Sequence, residues 1–406
     1  MSILFTEKQV AGLTVKNRFV HSGTGESMAT DQGAVTDRLI KRYKTLAKGE
    51  VGLIVTGYMS VHPLGRATLR QTGIHSDAFL PGLEKLAQGI HDNNGRVLFQ
   101  LVHAGRQTTS AVIGEKPAGP SATDRDPTYL VKPRMLTHQE IVEIIDAYKK
   151  AAIRAMAAGA DGIHISAAGG YLINQFLSPF YNQRDDEWGG TTLNRFRLLR
   201  EIVIAVKEIL PSGAPLVVKI NTDDQTPRPG IILDEAMEHA KWLVDLGIDG
   251  IEVASGNLLY NHMTMWHGEV PTKEIVQGFP TWKKPFAWVA SKRMEGQLAL
   301  QGPWNLPAAQ ALRPVVGDTP LFLVGGLREV GQMESILEQG HADFIQMCRP
   351  FIREPFLVKK IKAGKVTQVA CTSCNRCLGA IVNQMPIACY RNGLPATAPS
   401  EILRRA

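Results

Sequence analysis

The 406-residue chain contains no apolar run approaching the length of a membrane-spanning helix, about 18–20 residues. It has no dense Lys/Arg block interleaved with aromatics. Its net charge of +7 is spread among acidic residues, so a nucleic-acid-binding surface is not expected and a solvated surface is. Met1 to Phe5 leads at once into the charged Glu7 and Lys8, which does not read as a secretory signal. Cysteine is scarce, with five residues, and four of them crowd between Cys371 and Cys389. A disulfide framework would scatter them. The crowding reads instead as a cytoplasmic chain carrying one thiolate site. No G-x-G-x-x-G follows the first apolar run, which weakens a doubly wound dinucleotide-binding sheet, and there is no internal repeat at a period of 20–50 residues.

What is present is a rhythm. Eight short runs rich in β-branched residues follow one another: FVHSG (19–23), VGLIVTG (51–57), VLFQLVH (97–103), GIHISA (162–167), PLVVKIN (215–221), GIEVAS (250–255), PLFLVGG (320–326) and ADFIQMCR (342–349). Nearly continuous apolar runs suit strands buried on both faces of a parallel sheet. Between them, residues 80–93, 137–159 and 233–247 carry apolar stripes at helical spacing. Thr137 with Glu140 forms a capping-box pattern, and Gly159 and Gly247 stand where helices stop. The expected fold is α/β, a (β/α)8 TIM barrel over residues 1–360, with an N-terminal hairpin lid and a Cys-rich extension over 361–406; an open doubly wound sheet is the alternative. Two long strand-to-helix segments, 104–136 and 256–319, are placed to shape a substrate pocket or a subunit contact, and a homo-oligomer is expected.

Barrel chemistry sits at the C-terminal ends of the strands. Strand seven ends in Gly325 and Gly326, and strand eight runs into Cys348 and Arg349. Two glycines let backbone amides close on an anion and the arginine adds a charged donor, a phosphate site in chemistry; a tight turn is the plain alternative for the glycines. Gln100 carries a donor and an acceptor, suited to a pyrimidine-like edge. Lys219 lies within Val and Ile, so it serves either a ligand or a barrel carboxylate. Cys371, Cys374, Cys377 and Cys389, spaced C-x2-C-x2-C-x11-C, suit a [4Fe-4S] cluster or zinc, with free thiols as the remaining reading.

The segments NRFVHSGTGE, GLIVTG, FQLVHAGRQ, GGYLINQFLSPFYNQRDDEWGGTTLNRFR, VVKIN, VGGL and CRPFIREP occur in an order that resembles the Old Yellow Enzyme family of FMN-dependent NAD(P)H:flavin oxidoreductases, over roughly residues 1–360. The resemblance implies non-covalent FMN at the top of the barrel and NAD(P)H as reductant. It implies Ser22, Gly23, Thr24 and Gly57 along the isoalloxazine edge and Gln100 at the pyrimidine edge. Lys219 would lie near N1 and O2, the phosphate at Gly325, Gly326, Cys348 and Arg349, and Tyr171 would be the proton donor to a small unsaturated organic substrate. Just before G-Y-L, where the family carries a His paired with a second His or Asn, this chain has Ser166 and Gly169. Replacement donors are His164, on the same strand face as Ser166, or His103, His21 or Tyr58. The missing pair also allows a flavin-binding electron-transfer subunit, with its own partner protein and no alkene chemistry. The cysteine spacing resembles the iron–sulfur, dienoyl-CoA reductase branch, which has one more residue between its second and third cysteines.

Overall fold

A computed structural model describes residues 2–395. All eight apolar runs form strands, seven of them shorter than their sequence signals and GIHISA over its full length. They are β1 (Phe19–His21), β2 (Leu53–Val55), β3 (Val97–Val102), β4 (Gly162–Ala167), β5 (Leu216–Asn221), β6 (Gly250–Ala254), β7 (Leu321–Val324) and β8 (Phe344–Met347). Each pairs in parallel with the next, and β8 returns to pair with β1, closing a (β/α)8 barrel. The buried strands read as apolar without alternation because one face meets the barrel interior and the other the helices.

The outer ring follows the sequence pattern: α1 (Asp37–Lys48), α2 (Leu80–His91), α3 (His138–Ala157), α4 (Thr192–Lys207), α5 (Leu233–Asp245), α6 (Leu306–Val316) and α7 (Val330–Glu338). The capping box at α3 is formed. Thr137 accepts from the Glu140 amide, and the Glu140 carboxylate accepts from the Thr137 amide at 2.8 Å.

The hairpin Lys8–Val10 with Leu13–Val15 caps the N-terminal end of the barrel, opposite the loops that carry the chemistry. Val10 and Val15 pack with Val20, Leu53, Leu98 and Val217 and the stacked pair Phe322 and Phe344. The hairpin tip is pinned by the Gly12 amide on the Gly213 carbonyl at 3.0 Å.

The first long loop, 104–136, is anchored by Arg106, which is 1% exposed and donates to the carbonyls of Asp124 (2.6 Å) and Val131 (3.2 Å). The second contributes three short helices, Leu258–Asn261, Thr272–Gln277 and Lys284–Met294, before α6 begins. The Cys-rich extension lies against the barrel. Val369 and Ile387 join the main core, the Ile387 amide donates to the Glu26 carbonyl (2.8 Å), and Asn383 donates to the Glu274 carbonyl (2.8 Å). Residues 396–406 of the expected extension lie outside the described residues. Among the described residues no helix is long and apolar enough to cross a membrane.

Candidate active site

The upper barrel interior is polar. Register sets Lys219 beside Ser166 on one side and Glu252 on the other, and Gln100 beside His164. Glu252, fully buried, is the hub. Lys219 Nζ reaches its Oε1 at 2.8 Å, Ser22 Oγ donates to the same oxygen at 3.2 Å, and His164 Nε2 meets Oε2 at 2.8 Å. The Gln100 amide donates to His164 Nδ1 at 3.1 Å, which leaves the ring proton on Nε2, facing the carboxylate. Burial opposes the charge on Glu252, but Lys219 and His164 outweigh it and hold the carboxyl far below its usual range. Lys219 therefore meets the barrel carboxylate that its sequence setting allowed, at the edge of the mouth with its side chain 13% exposed.

Sequence reasoning missed Glu252, although the argument applied to Lys219, a charge inside an apolar run, applies equally to GIEVAS. Gln346 in β8 was also missed. It is on the interior face with Phe344, 1% exposed, and neither polar atom of its side chain has a partner. An unpaired buried amide is costly and leaves one donor group and one acceptor free on the interior face.

Gly23 packs directly on Gln100. A Cβ there would lie 2.5 Å from the Thr56 carbonyl oxygen and 2.8 Å from Gln100 Oε1, so only glycine allows the approach. At Gly57 the backbone amide donates to Glu26 (3.0 Å) and Tyr43 (2.6 Å). Glu26 and Tyr43 are buried and hydrogen-bonded to each other, and burial raises the Glu26 carboxyl. The Gly57 amide is thus already occupied from within the protein. Cys348 is partly buried and hydrogen-bonded to Thr24, and desolvation raises its thiol. Gly325 and Gly326 have φ of +111° and +74° and form a turn against Trp304 and Gly302. Arg349 lies 5.9 Å from the Trp304 ring.

Tyr171 stands at the opening. Gly169 (φ +69°) and Gly170 (φ +82°) turn the chain out of β4, and Tyr171 caps the short helix Leu172–Leu177. The turn is held by residues of that helix. Asn174 Oδ1 accepts from the Gly170 amide (2.6 Å), and Gln175 donates to the carbonyls of Gly170 (2.6 Å) and Ala104 (3.0 Å). Tyr171 shares a hydrogen bond with Tyr58, ring centroids 5.3 Å apart. Burial, with Tyr58 and Tyr129 nearby, raises its hydroxyl well above the ordinary tyrosine value. Gly25 leaves room for the Tyr58 hydroxyl: a Cβ there would lie 2.7 Å from it.

Among the replacement donors, His164 has both ring nitrogens engaged below the mouth. His21 binds the Val55 carbonyl (2.9 Å) and Arg42 (3.2 Å) and is lowered to about 3 by burial. His103 accepts from the Gly105 amide (3.0 Å) and is likewise lowered to about 3. Tyr58 alone of these faces Tyr171. Ser166 is 4% exposed on the strand below. At Gly169 the space for a side chain is taken by Met265 from the second long loop, its Cε 3.0 Å from where a Cβ would lie.

The five cysteines are free. Cys371, Cys374, Cys377 and Cys389 line one small cavity of about 20 Å³ together with Arg353 and Tyr390. Burial pushes the Cys377 thiol up to about 12. Among the described residues no group of three or more His, Cys, Asp or Glu converges to hold a metal ion.

Residues 3–302 match the family described as NADH:flavin oxidoreductase / NADH oxidase, and the chain belongs to it. It is similar to an NADH oxidase of Thermoanaerobacter brockii, with 33% identity over 386 residues, covering 94% of this chain and 54% of that one. Among solved structures it is similar to a 2-naphthoyl-CoA reductase in complex with 2-naphthoyl-CoA (TM-score 0.81, 26% identity, 96% and 56% of the two chains). It is also similar to an Old Yellow Enzyme homologue from Zymomonas mobilis (TM-score 0.72, 26% identity, 90% and 94%). The chain thus spans about half the length of the first two of these relatives and nearly all of the third.

Proposed function

We propose that the chain binds FMN non-covalently at the C-terminal mouth of the barrel and acts as an NAD(P)H-dependent oxidoreductase on a small unsaturated organic substrate. The observation that carries this reading is the buried Lys219–Glu252–His164–Gln100 network ending beneath a tyrosine pair, within a chain of this family. FMN, when bound, would supply hydride exchange between a nicotinamide and a substrate carbon. Glu252 fixes the ammonium of Lys219 and the hydroxyl of Ser22 at the mouth, where they meet the electron-rich pyrimidine edge. Gln100 is oriented by His164 to read that edge, and Gly23 and Thr24 leave the ring wall thin. Gly325, Gly326, Cys348 and Arg349 would take the phosphate.

Tyr171 holds its proton because burial disfavours the phenolate, and it delivers that proton to the substrate carbon. Tyr58 shares its hydrogen bond and serves as the polar contact that a His pair would otherwise make. Ser166 adds one further hydroxyl. Cys371, Cys374, Cys377 and Cys389 have the spacing of a [4Fe-4S] site, with zinc as the alternative. Such a cluster would supply single electrons. The reading includes a cytoplasmic setting, consistent with five free cysteines. It also includes self-association or a redox partner at the exposed aromatics Trp282, Phe286 and Trp288.

An anaerobic absorption spectrum with iron and sulfide analysis tests this. The expected protein is yellow, its flavin band bleaches with NADH or NADPH, and iron and sulfide are near four each per chain for a [4Fe-4S] cluster. Colourless protein that takes up no FMN sinks the reading. The vacant donor position at Gly169, filled by Met265, favours a second reading: a flavin-binding electron-transfer subunit. That reading expects flavin reduction by a partner and no turnover across a broad enone panel.

A further inference from the structure

Arg349 follows β8 and is one of the proposed phosphate residues, so the inference here rests on the flavin reading. Its Nη1 donates to the His267 carbonyl at 3.0 Å and to Asn375 Oδ1. Asn375 stands between Cys374 and Arg376, is 1% exposed, and has a left-handed φ of +54°. Its Nδ2 donates to the carbonyls of Trp266 (2.8 Å) and Glu269 (3.0 Å). One buried carboxamide therefore joins three segments: the arginine after β8, the inserted loop at 266–269, and the loop that carries three of the four clustered cysteines. The chemistry selects asparagine. The carbonyl oxygen meets a cation, the amide hydrogens meet two carbonyls, and asparagine tolerates left-handed backbone. An aspartate would turn an acceptor toward those carbonyls, and an alanine would remove the bonds to all three partners.

We propose that Asn375 is a positioning residue that holds the Arg349 guanidinium for the flavin phosphate only while the cysteine loop keeps its shape. The cysteine site and FMN affinity are then thermodynamically coupled. Whatever orders the cysteines tightens FMN, and bound FMN tightens the cysteine site by the same factor. The coupling acts through the phosphate, so riboflavin, which lacks it, is indifferent to Asn375.

The test measures dissociation constants of FMN and riboflavin by flavin fluorescence, on the full chain stripped of flavin, for the unchanged protein, Asn375→Ala, and Cys371→Ser with Cys374→Ser. Asn375→Ala and the double cysteine variant are each expected to weaken FMN about ten-fold, within the usual range of coupling between sites, and to leave riboflavin within about two-fold. Folded Asn375→Ala that binds FMN as the unchanged protein does overturns the inference, as does an equal loss for riboflavin. Should Asn375→Ala not fold, the double cysteine variant decides by the same two ligands. An unchanged chain that binds neither flavin sinks the flavin reading itself, a result distinct from tight FMN binding that is insensitive to Asn375.

Discussion

Glu252 carries three partners on two oxygens: Lys219 from β5, His164 from β4 and Ser22 from just past the end of β1. Replacing it with glutamine leaves the Lys219 ammonium without a counter-charge in the barrel, which costs about 3–5 kcal/mol for a buried pair broken on one side. Glu252→Gln is expected to lower the melting temperature and to weaken FMN; unchanged thermal stability would show that the network is not buried as described. Tyr171→Phe removes the hydroxyl with its bonds to Tyr58 and Gln107. It is expected to cut turnover by about 10²-fold or more with flavin content intact, as for a general acid, and stopped-flow measurement separates the flavin's reduction from its reoxidation. The sequence marked Tyr171, Lys219 and Gln100 by local pattern. Glu252, Gln346 and Asn375 escaped because their roles depend on partners brought from other strands or loops. The occupant of the space at Gly169 was equally hidden, since Met265 arrives from a loop almost a hundred residues away.

The elements were more legible than the contacts. Eight β-branched runs, each buried on both faces, could be read as strands because neither face had to alternate, and only their ends were overrun. VGLIVTG shrinks to Leu53–Val55 and ADFIQMCR to Phe344–Met347. The capping box of α3 was readable because it is encoded within four residues; Thr137→Ala is expected to cost about 1 kcal/mol, checked by denaturant titration. The hairpin was legible as a hairpin, but which end of the barrel it covers was not. Its tip meets Gly213, two hundred residues on, where a Cβ on Gly12 would sit 2.9 Å from a backbone Cα. Gly12→Val is expected to lose about 1–3 kcal/mol by overpacking. If it is as stable as the parent, the hairpin does not close the barrel tightly.

For the molecule as a whole, acid is the expected weakness. His21, His103 and His239 are held neutral by burial, lowered to about 3, whereas in the unfolded chain they protonate near 6.5. Between those values the unfolded chain binds more protons, so stability is full above about pH 6.5 and declines as pH falls toward 3. His62, His75 and His267, also lowered by burial, add to this loss; Glu26, Asp224, Glu235 and Asp249, raised by burial, and His91, raised by its bond to Asp161, work in the opposite direction. The melting temperature is expected to be lower at pH 5 than at pH 7; a rise on acidification would contradict this balance.

The plugged floor of the barrel has a kinetic consequence. With the hairpin valines packed into the N-terminal end, the way into the proposed site is from the C-terminal mouth, where Tyr58 and Tyr171 stand. A nicotinamide and an organic substrate that both need the same flavin face must enter by turns, the first departing before the second arrives. Double-reciprocal plots of turnover against one reactant at several fixed levels of the other are expected to be parallel, and each reactant in excess is expected to inhibit by blocking the door to the other. Intersecting lines would require room for two guests at once.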